Sequence, residues 1–339
     1  EMSASLVGSE MCIRDSFSAD QLLEKVNTYL ATMPYVREPK GLYAPIEYVL
    51  SLGGKRIRPV LMLLSYQLYK ENVDDILPQA AGIETYHNYT LLHDDLMDCA
   101  DMRRNKPTVH KVWDENTAIL SGDAMLVLAY RLMNNCPERY LKQVMDIFSQ
   151  TALEICEGQQ WDMEFETRND VTVPEYMEMI RLKTSVLLSA ALKIGAVLGG
   201  ASEDDARKLY DFGIKMGLAF QLQDDYLDVY GDSKVFGKNI GGDILCNKKT
   251  FMLINALALA DGIQRKELEK WIASTAFCPK EKIKAVTALY DKIGIGGICE
   301  EKINAYYVEG LSLLESIAVP SERKEELKSF VCHLMNRKV

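Results

Sequence analysis

Two short aspartate-rich segments have the residue types and the spacing of a divalent-cation site. The first reads HDDLMD from position 93, and the second reads QDDYLD from position 223. Their aspartates are Asp94, Asp95, Asp98, Asp224, Asp225 and Asp228. In each segment the first and third aspartates are four residues apart, so their carboxylates stack on one helix face and repel each other unless a cation lies between them. Mg²⁺ typically combines one or two carboxylates with water and substrate phosphate.

The alternative interpretation of these segments is an acidic helix face that only contacts solvent. A single copy would be explained in that way, because such a pattern occurs by chance. Both copies, however, come shortly after apolar residues, Leu91 and Leu92 in the first and Leu218 to Phe220 in the second. A solvated face does not need such neighbours, so the pair of segments favours a metal site.

Basic residues near these acids indicate an anionic ligand. A glycine turn at Gly53 and Gly54 leads into a predicted helix that carries three cations within four positions, from Lys55 to Arg58. Backbone amides at a helix start and guanidinium groups both suit a diphosphate. Further candidates are Arg103, Arg104, Lys183, Thr184, Lys238, Lys248 and Lys249. Each of them alone is more simply a solvated surface residue, but together with the acids they predict a site for two diphosphates.

The elements that position these residues are predicted to be helices almost throughout. Ser18, Thr172 and Ser202 each begin a helix N-terminal pattern, the first two as capping boxes. Glycine and proline residues separate the helical segments, and the sequence lacks alternating runs of β-branched residues. These patterns predict an all-α fold with a single helical domain over residues 17–339. Residues 1–16 have no helical period and are interpreted as a non-native or disordered segment.

Composition and charge narrow the class of protein further. The 339 residues contain 39 Lys and Arg against 49 Asp and Glu, and the resulting net charge of −10 argues against nucleic acid as a partner. No run approaches the ~18 to 20 apolar residues that cross a bilayer, so no stable membrane insertion is expected. The eight cysteines are scattered without a CxxC pair. They are interpreted as reduced thiols, which predicts a cytoplasmic location.

Seven motifs, taken together, resemble those of the trans-polyprenyl diphosphate synthases, the family that includes farnesyl and geranylgeranyl diphosphate synthases. In the family's order they are GGKRIRP, LLHDDLMD followed by RR, GQQWD, LKTS, QLQDDYLD, GKNIGGD and NKK. Seven motifs in order are far more specific than any one of them. The resemblance implies an isoprenoid-synthase-type helical bundle around a central cavity, in a homodimer. The two aspartate motifs would face each other across the cavity mouth.

The resemblance also assigns roles to individual residues. Three Mg²⁺ ions would be held by Asp94, Asp98 and Asp224, with support from Asp95, Asp225 and Asp228. The allylic diphosphate would be bound by Arg103, Lys183, Thr184, Gln221, Lys238 and Lys248. Isopentenyl diphosphate would be bound by Gly54, Lys55, Arg58, His87 and Arg104. The six aspartates, Lys183 and Lys238 are the catalytic candidates, whereas His87 on sequence alone could equally be a core histidine.

The implied reaction is the Mg²⁺-dependent, head-to-tail condensation of isopentenyl diphosphate with an allylic diphosphate such as dimethylallyl, geranyl or farnesyl diphosphate. In the family, bulky aromatics four and five residues before the first aspartate restrict the product to farnesyl. The corresponding positions here are Thr90 and Tyr89, with Tyr86 one turn further away. One aromatic and one small residue predict a short-chain product of C15 or C20, with geranylgeranyl favoured over farnesyl.

Several alternatives to this function remain open at this point. The chain could make a longer polyprenyl diphosphate, or it could be a non-catalytic subunit of a heteromeric prenyl synthase. Such subunits typically lose an aspartate motif, whereas both motifs are intact here. A terpene cyclase is disfavoured because the chain has the GKRIRP segment and a second DDYLD. A Ca²⁺-binding structural protein would leave the clustered cations unexplained.

Overall fold

The computed structural model describes residues 16–231 and 240–335, and this described part consists almost entirely of helices. The α-helices in chain order are α1 (Ala19–Thr32), α2 (Lys40–Ser51), α3 (Ile57–Gln67), α4 (Leu77–Met97), α5 (Val109–Val112), α6 (Glu115–Met133), α7 (Glu138–Thr167), α8 (Val173–Ile180), α9 (Val186–Gly199), α10 (Glu203–Tyr230), α11 (Gly242–Leu245), α12 (Phe251–Leu259), α13 (Gly262–Ala273), α14 (Pro279–Ile293), α15 (Ile295–Glu315) and α16 (Ser321–Met335). A 3₁₀ turn at Val73–Ile76 precedes α4, and a π-helical turn at Arg181–Ser185 joins α8 to α9. The predicted all-α fold class is confirmed.

Two sequence-based expectations fall on residues outside the described ranges. One is the interpretation of the N-terminal segment, because residues 1–15 lie outside them. The other is the assignment of Lys238 to the allylic diphosphate site. Both stay predictions.

The helix starts follow the capping patterns in the sequence. Ser18 and Thr172 each form a complete capping box, at the starts of α1 and α8. The hydroxyl of Ser202 accepts a hydrogen bond from the backbone N–H of Asp205 at 3.1 Å, at the start of α10. Side-chain acceptors satisfy backbone donors that the first helical turn leaves unpaired, and for this reason such positions are readable from sequence.

One small element in the described part was missed by the sequence analysis, a hairpin between α4 and α5. Its strands β1 (Met102–Arg103) and β2 (Lys106–Pro107) pair antiparallel over two residues each. The turn between them places Arg104 and Asn105 at φ values of 51° and 61°. Positive φ at both central residues is the geometry of a two-residue type I′ turn. Strands of two residues carry no readable alternation, but this hairpin sets the directions of two neighbouring arginines.

Helix α9 lies at the centre of the bundle and is buried on almost every side. Helices α3 and α10 pack along it, and glycines permit the close approach. A Cβ on Gly195 of α9 would collide with the carbonyl oxygen of Met62 on α3. One on Gly213 of α10 would lie 2.6 Å from the Cα of Ser189 on α9. These contacts bring α3, α9 and α10 around a common space that α4 and α7 complete.

One continuous helical stretch, Val173–Gly199, is long and apolar enough to cross a membrane by length and composition alone. Arg181 and Lys183 interrupt its apolar run, so the sequence shows no uninterrupted apolar segment there. In the structure, 83% of an 18-residue apolar part of this stretch is buried inside the protein. The stretch therefore has the surroundings of a core helix, and its apolar side chains pack within the bundle.

Candidate active site

A central cavity of about 730 Å³ brings most of the sequence-predicted residues together. Those that line it are Gly54, Lys55, Arg58, His87, Thr90, Asp94, Arg103, Arg104, Lys183, Thr184, Gln221 and Asp224. An adjoining cavity of about 190 Å³ shares Lys183, Thr184, Gln221 and Asp224 and adds Asp225, Asp228 and Lys248. Residues from positions 54 to 248 therefore meet in one region, which has the size of an ordinary small-molecule site.

The first aspartate motif occupies the C-terminal end of α4, and its members have different surroundings. Asp94 lines the central cavity, whereas Asp95 is 5% exposed and holds Arg103. The Nε of Arg103 donates to both carboxylate oxygens of Asp95, at 2.8 and 2.7 Å. Asp98 caps the helix, and burial, followed by the nearby charge of Asp94, raises its pKa. Asp95 therefore orients the guanidinium of Arg103. Asp94 and Asp98 are the two carboxylates that lie one helical turn apart at the end of α4.

Lys183 lies between carboxylates from two helices. Its Nζ donates to Asp94 at 3.1 Å and to Asp162 on α7 at 2.6 Å. Burial alone would lower the pKa of Lys183, but the two carboxylates raise it above its usual value. The π-helical turn that carries Lys183 passes close to α7. A Cβ on Gly158 of α7 would lie only 2.5 Å from the backbone nitrogen of Lys183. Lys183 thus remains an ammonium group at the acidic end of the cavity.

The second aspartate motif lies on α10 and also divides between cavity and support. Asp224 lines both cavities, whereas Asp225 is 4% exposed and accepts a hydrogen bond from the hydroxyl of Tyr176. Burial raises the pKa of Asp225 to about 7, although the Tyr176 hydroxyl opposes this shift. Asp228 accepts a hydrogen bond from the backbone N–H of Asp243 at 3.0 Å. These two carboxylates thus connect α10 to α8 and to α11.

Lys248 reaches this acidic region from the turn after α11. The preceding residue, Asn247, has a φ of 54°, and its side-chain oxygen accepts a hydrogen bond from buried Lys282 at 2.7 Å. Burial would lower the pKa of Lys248, but the carboxylates of Asp162, Asp243 and others raise it. The ammonium of Lys248 is therefore a second fixed positive charge beside the aspartates.

The other end of the central cavity is basic. The Nη1 of Arg58 lies 3.1 Å from the Nε2 of His87, and the buried Nε of Arg58 has no hydrogen-bond partner within the described ranges. Arg104 donates to the carbonyl oxygen of Gly53, and a Cβ on Gly54 would lie 2.9 Å from its guanidinium. Burial and the surrounding arginines lower the pKa of His87 well below its usual value, so this ring is neutral.

The donor set at the acidic end fits a hard divalent cation that also binds a phosphate group. Asp94 and Asp224 line the same cavity from α4 and α10. Within residues 16–231 and 240–335, no three acidic, histidine or cysteine side chains already converge as a complete ligand group. Mg²⁺ fits this arrangement because it binds through one or two carboxylates and takes its remaining oxygens from water and substrate.

The predicted chain-length residues are in two different environments. Thr90 lines the cavity, and its hydroxyl donates to the carbonyl oxygen of His87. Tyr86 is 1% exposed, and its hydroxyl donates to the carbonyl oxygen of Ala152 on α7 at 3.3 Å. Tyr89 is partly buried, with its ring 5.4 Å from that of Tyr86. Neither tyrosine is among the described residues that line the cavity, so both form part of the packing behind it.

Three residues that contact the site are absent from the sequence-based predictions. Asp162 belongs to the GQQWD motif and Asp243 to the GKNIGGD motif, so their motifs provided a signal that was left unused. Tyr176 carries no sequence signal, because its contact with Asp225 joins residues 49 positions apart. A prediction from local spacing has no access to such a pair.

Comparisons with known proteins match most of the chain. A family model described as Polyprenyl synthetase matches residues 39–290. A short chain isoprenyl diphosphate synthase of Methanocaldococcus jannaschii is 41% identical over 273 residues, 80% of this chain and 83% of that protein. A geranylgeranyl diphosphate synthase of Methanosarcina mazei is 46% identical over 224 residues, 65% of this chain and 69% of that protein. A crystal structure of a geranylgeranyl pyrophosphate synthase superposes with a TM-score of 0.88 at 44% identity, covering 95% of this chain and 98% of that one.

Proposed function

Since the chain belongs to the polyprenyl synthetase family, and is thus a prenyltransferase for short-chain trans-prenyl condensation, we propose that it extends an allylic diphosphate with isopentenyl diphosphate to geranylgeranyl diphosphate. The observation that carries this proposal is the division of one cavity into two ends. Asp94, Asp224 and Lys183 line the acidic end, and Arg58 and Arg104 line the basic end. Two diphosphates can therefore bind with their hydrocarbon parts facing each other.

The acidic end is proposed to bind and ionise the allylic diphosphate. Enzymes of this family use a divalent metal ion, and Mg²⁺, as three ions held by Asp94, Asp98 and Asp224, would supply Lewis-acid stabilisation of the departing diphosphate. Lys183 donates from its ammonium to the same leaving group, and so does the guanidinium of Arg103, which Asp95 orients. These fixed donors stabilise negative charge that develops only as the C–O bond breaks.

The basic end is proposed to hold isopentenyl diphosphate so that its double bond faces the allylic carbon. Once the allylic C–O bond has broken, the π electrons of isopentenyl diphosphate form the new C–C bond. An oxygen of the departed diphosphate then takes the proton that is lost. The allylic carbocation must be protected from water. An apolar part of the cavity wall serves this purpose and consists of Leu91, Ile155, Leu187, Phe220 and Leu227.

The proposed function is tested with the purified protein, dimethylallyl diphosphate, isopentenyl diphosphate and Mg²⁺. We expect geranylgeranyl diphosphate as the main product in chromatography of the dephosphorylated prenols. A cyclic hydrocarbon would instead identify a cyclase, and a longer prenol would identify a longer-chain synthase. No product with any allylic primer would indicate a non-catalytic subunit.

Product length is predicted to depend on the cavity wall near Thr90. Thr90→Phe should shorten the product towards farnesyl, because a phenyl ring at this lining position occupies space that the growing chain needs. Tyr89→Ala should lengthen the product, because it removes part of the aromatic packing behind the wall. Prenol chromatography measures both shifts.

The matched control for product length is Tyr307→Ala. The Tyr307 hydroxyl lies 2.8 Å from the Sγ of Cys332, and Tyr307 neither lines the cavity nor belongs to the aromatic packing behind Thr90, so its loss should weaken the core without changing the product. An unchanged product in both Thr90→Phe and Tyr89→Ala would mean that other residues set the length.

The assembly and location proposed for the enzyme are a homodimer in the cytoplasm. The homodimer is supported by a row of exposed apolar side chains on α6, where Ile119, Leu120 and Val127 are 46%, 61% and 60% exposed. Adjacent apolar side chains at helical spacing are typical of a surface that another subunit covers. The cytoplasmic location is supported by the seven cysteines in the described part of the chain, which are free thiols.

A further inference from the structure

A buried ion pair lies at the basic end of the cavity, where both of its residues belong to the lining, and the proposed mechanism does not use it. The Nη1 of Arg56 lies 2.7 Å from the Oε1 of Glu84, and the two side chains are 3% and 2% exposed. Moving both charges out of water has a desolvation cost that an exposed pair largely avoids. A buried ion pair is therefore weak evidence that the pair stabilises the fold. A pair retained at this depth therefore requires another explanation.

Arg56 is held by three different helices at once. In addition to Glu84 on α4, its Nη2 donates to the carbonyl oxygen of Leu50 on α2 at 2.6 Å, and its Nε donates to Asn27 on α1 at 3.2 Å. Arg56 is the N-cap of α3 and has a φ of 46°. A left-handed conformation is unfavourable for arginine, so the contacts of its guanidinium must maintain it.

Glu84 is fixed just as firmly on the other side of the pair. The side-chain amide of Asn88 donates to the Oε1 of Glu84 at 2.9 Å and to its carbonyl oxygen at 2.8 Å. Glu84 lies one helical turn before His87, which itself contacts Arg58 at 3.1 Å. The ion pair thus joins the start of α3 to α4 at the level where each helix places a basic-end residue in the cavity.

The backbone around the site shows that local strain accompanies this positioning. The non-glycine residues of the described part with positive φ are Arg56, Cys99, Arg104, Asn105 and Asn247. Each of them is a predicted site residue or lies within two positions of one. Unfavourable backbone conformations persist where surrounding contacts determine them, and they concentrate at functional sites.

We propose that Arg56 and Glu84 are positioning residues for isopentenyl diphosphate. The pair fixes the turn from Gly53 to Arg56. It thereby determines the positions of Lys55, which precedes Arg56, and of Arg58, which follows it. Arg56 is assigned a positioning role because each of its three guanidinium nitrogens already donates to a protein acceptor. This inference rests on the proposed function, since it assigns the basic end to isopentenyl diphosphate.

The test compares a variant that breaks the pair with one that replaces it. Arg56→Met leaves Glu84 buried without its partner and should lower both stability and isopentenyl diphosphate affinity. The double variant Arg56→Met/Glu84→Met should recover much of the stability, because apolar residues often replace a buried ion pair well. It also leaves the net charge of the site unchanged, so any remaining loss of affinity reports geometry.

The expected result is a loss of binding that does not follow stability. Calorimetry with isopentenyl diphosphate alone should give a Kd at least about tenfold above wild type in the double variant, since orientation of the phosphate donors is lost. The KM for the allylic substrate should stay within about twofold of wild type. Lys324→Met is the matched control, because Lys324 is a buried cation, 4% exposed, that holds the Glu315 carbonyl far from the cavity.

A second variant covers the case in which the double variant does not fold. Arg56→Lys keeps a positive charge beside Glu84, but a single ammonium cannot reach three acceptors on three helices. It should raise the Kd for isopentenyl diphosphate by about three- to fivefold, between wild type and Arg56→Met. A wild-type Kd in a folded Arg56→Lys or double variant would overturn the positioning role.

The same measurements separate this inference from the proposed function. A wild-type protein that binds isopentenyl diphosphate but forms no prenyl product would overturn the proposed reaction alone, because the Kd values still test the ion pair. A wild-type protein that does not bind isopentenyl diphosphate would overturn both.

Discussion

Asp94→Ala and Asp224→Ala are each expected to lower kcat by about 100- to 1,000-fold, which is the effect of removing one group that stabilises charge in the transition state. Both carboxylates line the same cavity from different helices, so each contributes to the proposed metal site separately. In Asp94→Ala, Lys183 also loses one of its two carboxylate partners and keeps Asp162. Steady-state kinetics at saturating substrates measure the loss.

The fold should survive these substitutions. Asp94 lies close enough to Asp98 for its charge to raise the pKa of that carboxyl, so its removal relieves a repulsion. Thermal unfolding should therefore show little loss of stability in Asp94→Ala. Asp101→Ala is the matched control, since Asp101 lies three residues after the motif, is exposed and pairs with Lys111 at 2.9 Å. Full activity in both Asp94→Ala and Asp224→Ala would exclude the proposed metal site.

Substitutions at the two ends of the cavity are expected to affect different substrates. Lys55→Ala and Arg58→Ala should raise the KM for isopentenyl diphosphate by about tenfold or more, as expected for loss of a charge-assisted hydrogen bond to phosphate. The allylic KM should change little. Arg58 already has a buried Nε without a hydrogen-bond partner in the described part of the chain, which suits a phosphate oxygen.

Arg103→Ala should show the reverse pattern, with the larger rise in the allylic KM. Arg103 is bound to Asp95 and lies 3.9 Å from Asp94, whereas the next residue, Arg104, contacts Gly53 at the basic end. Arg181→Ala is the control, because Arg181 pairs with Glu178 and does not line the cavity. Equal effects of Lys55, Arg58 and Arg103 substitutions on both substrates would show that the two ends are not separate sites.

The helical class and the acidic end were readable from the sequence because both depend on short-range patterns. Ser18 and Thr172 mark helix starts through contacts within one turn. The spacing of Asp94 and Asp98 is likewise a property of a single helix. Local chemistry of this kind is preserved wherever the helix is placed, so no tertiary contact is needed to recognise it.

The roles within each motif were decided only by tertiary structure. Asp94 and Asp95 are neighbours in sequence, yet one lines the cavity and the other is buried against Arg103. Arg56 stands between two predicted phosphate-binding residues, but its side chain is buried and paired with Glu84. Successive residues at a helix end or in a tight turn point in different directions, and only the packing of other helices determines which direction meets the cavity.

The sequence by itself therefore determined an all-helical chain with two carboxylate pairs and a nearby set of cations. Tertiary structure decided which cation lies at which end, because Arg103 and Arg104 diverge through a type I′ turn too short to leave a pattern. It also placed Tyr86 in the core behind Thr90. The physical reason is that these outcomes depend on contacts between residues tens of positions apart, such as Tyr86 with Ala152, and local spacing carries no information about them.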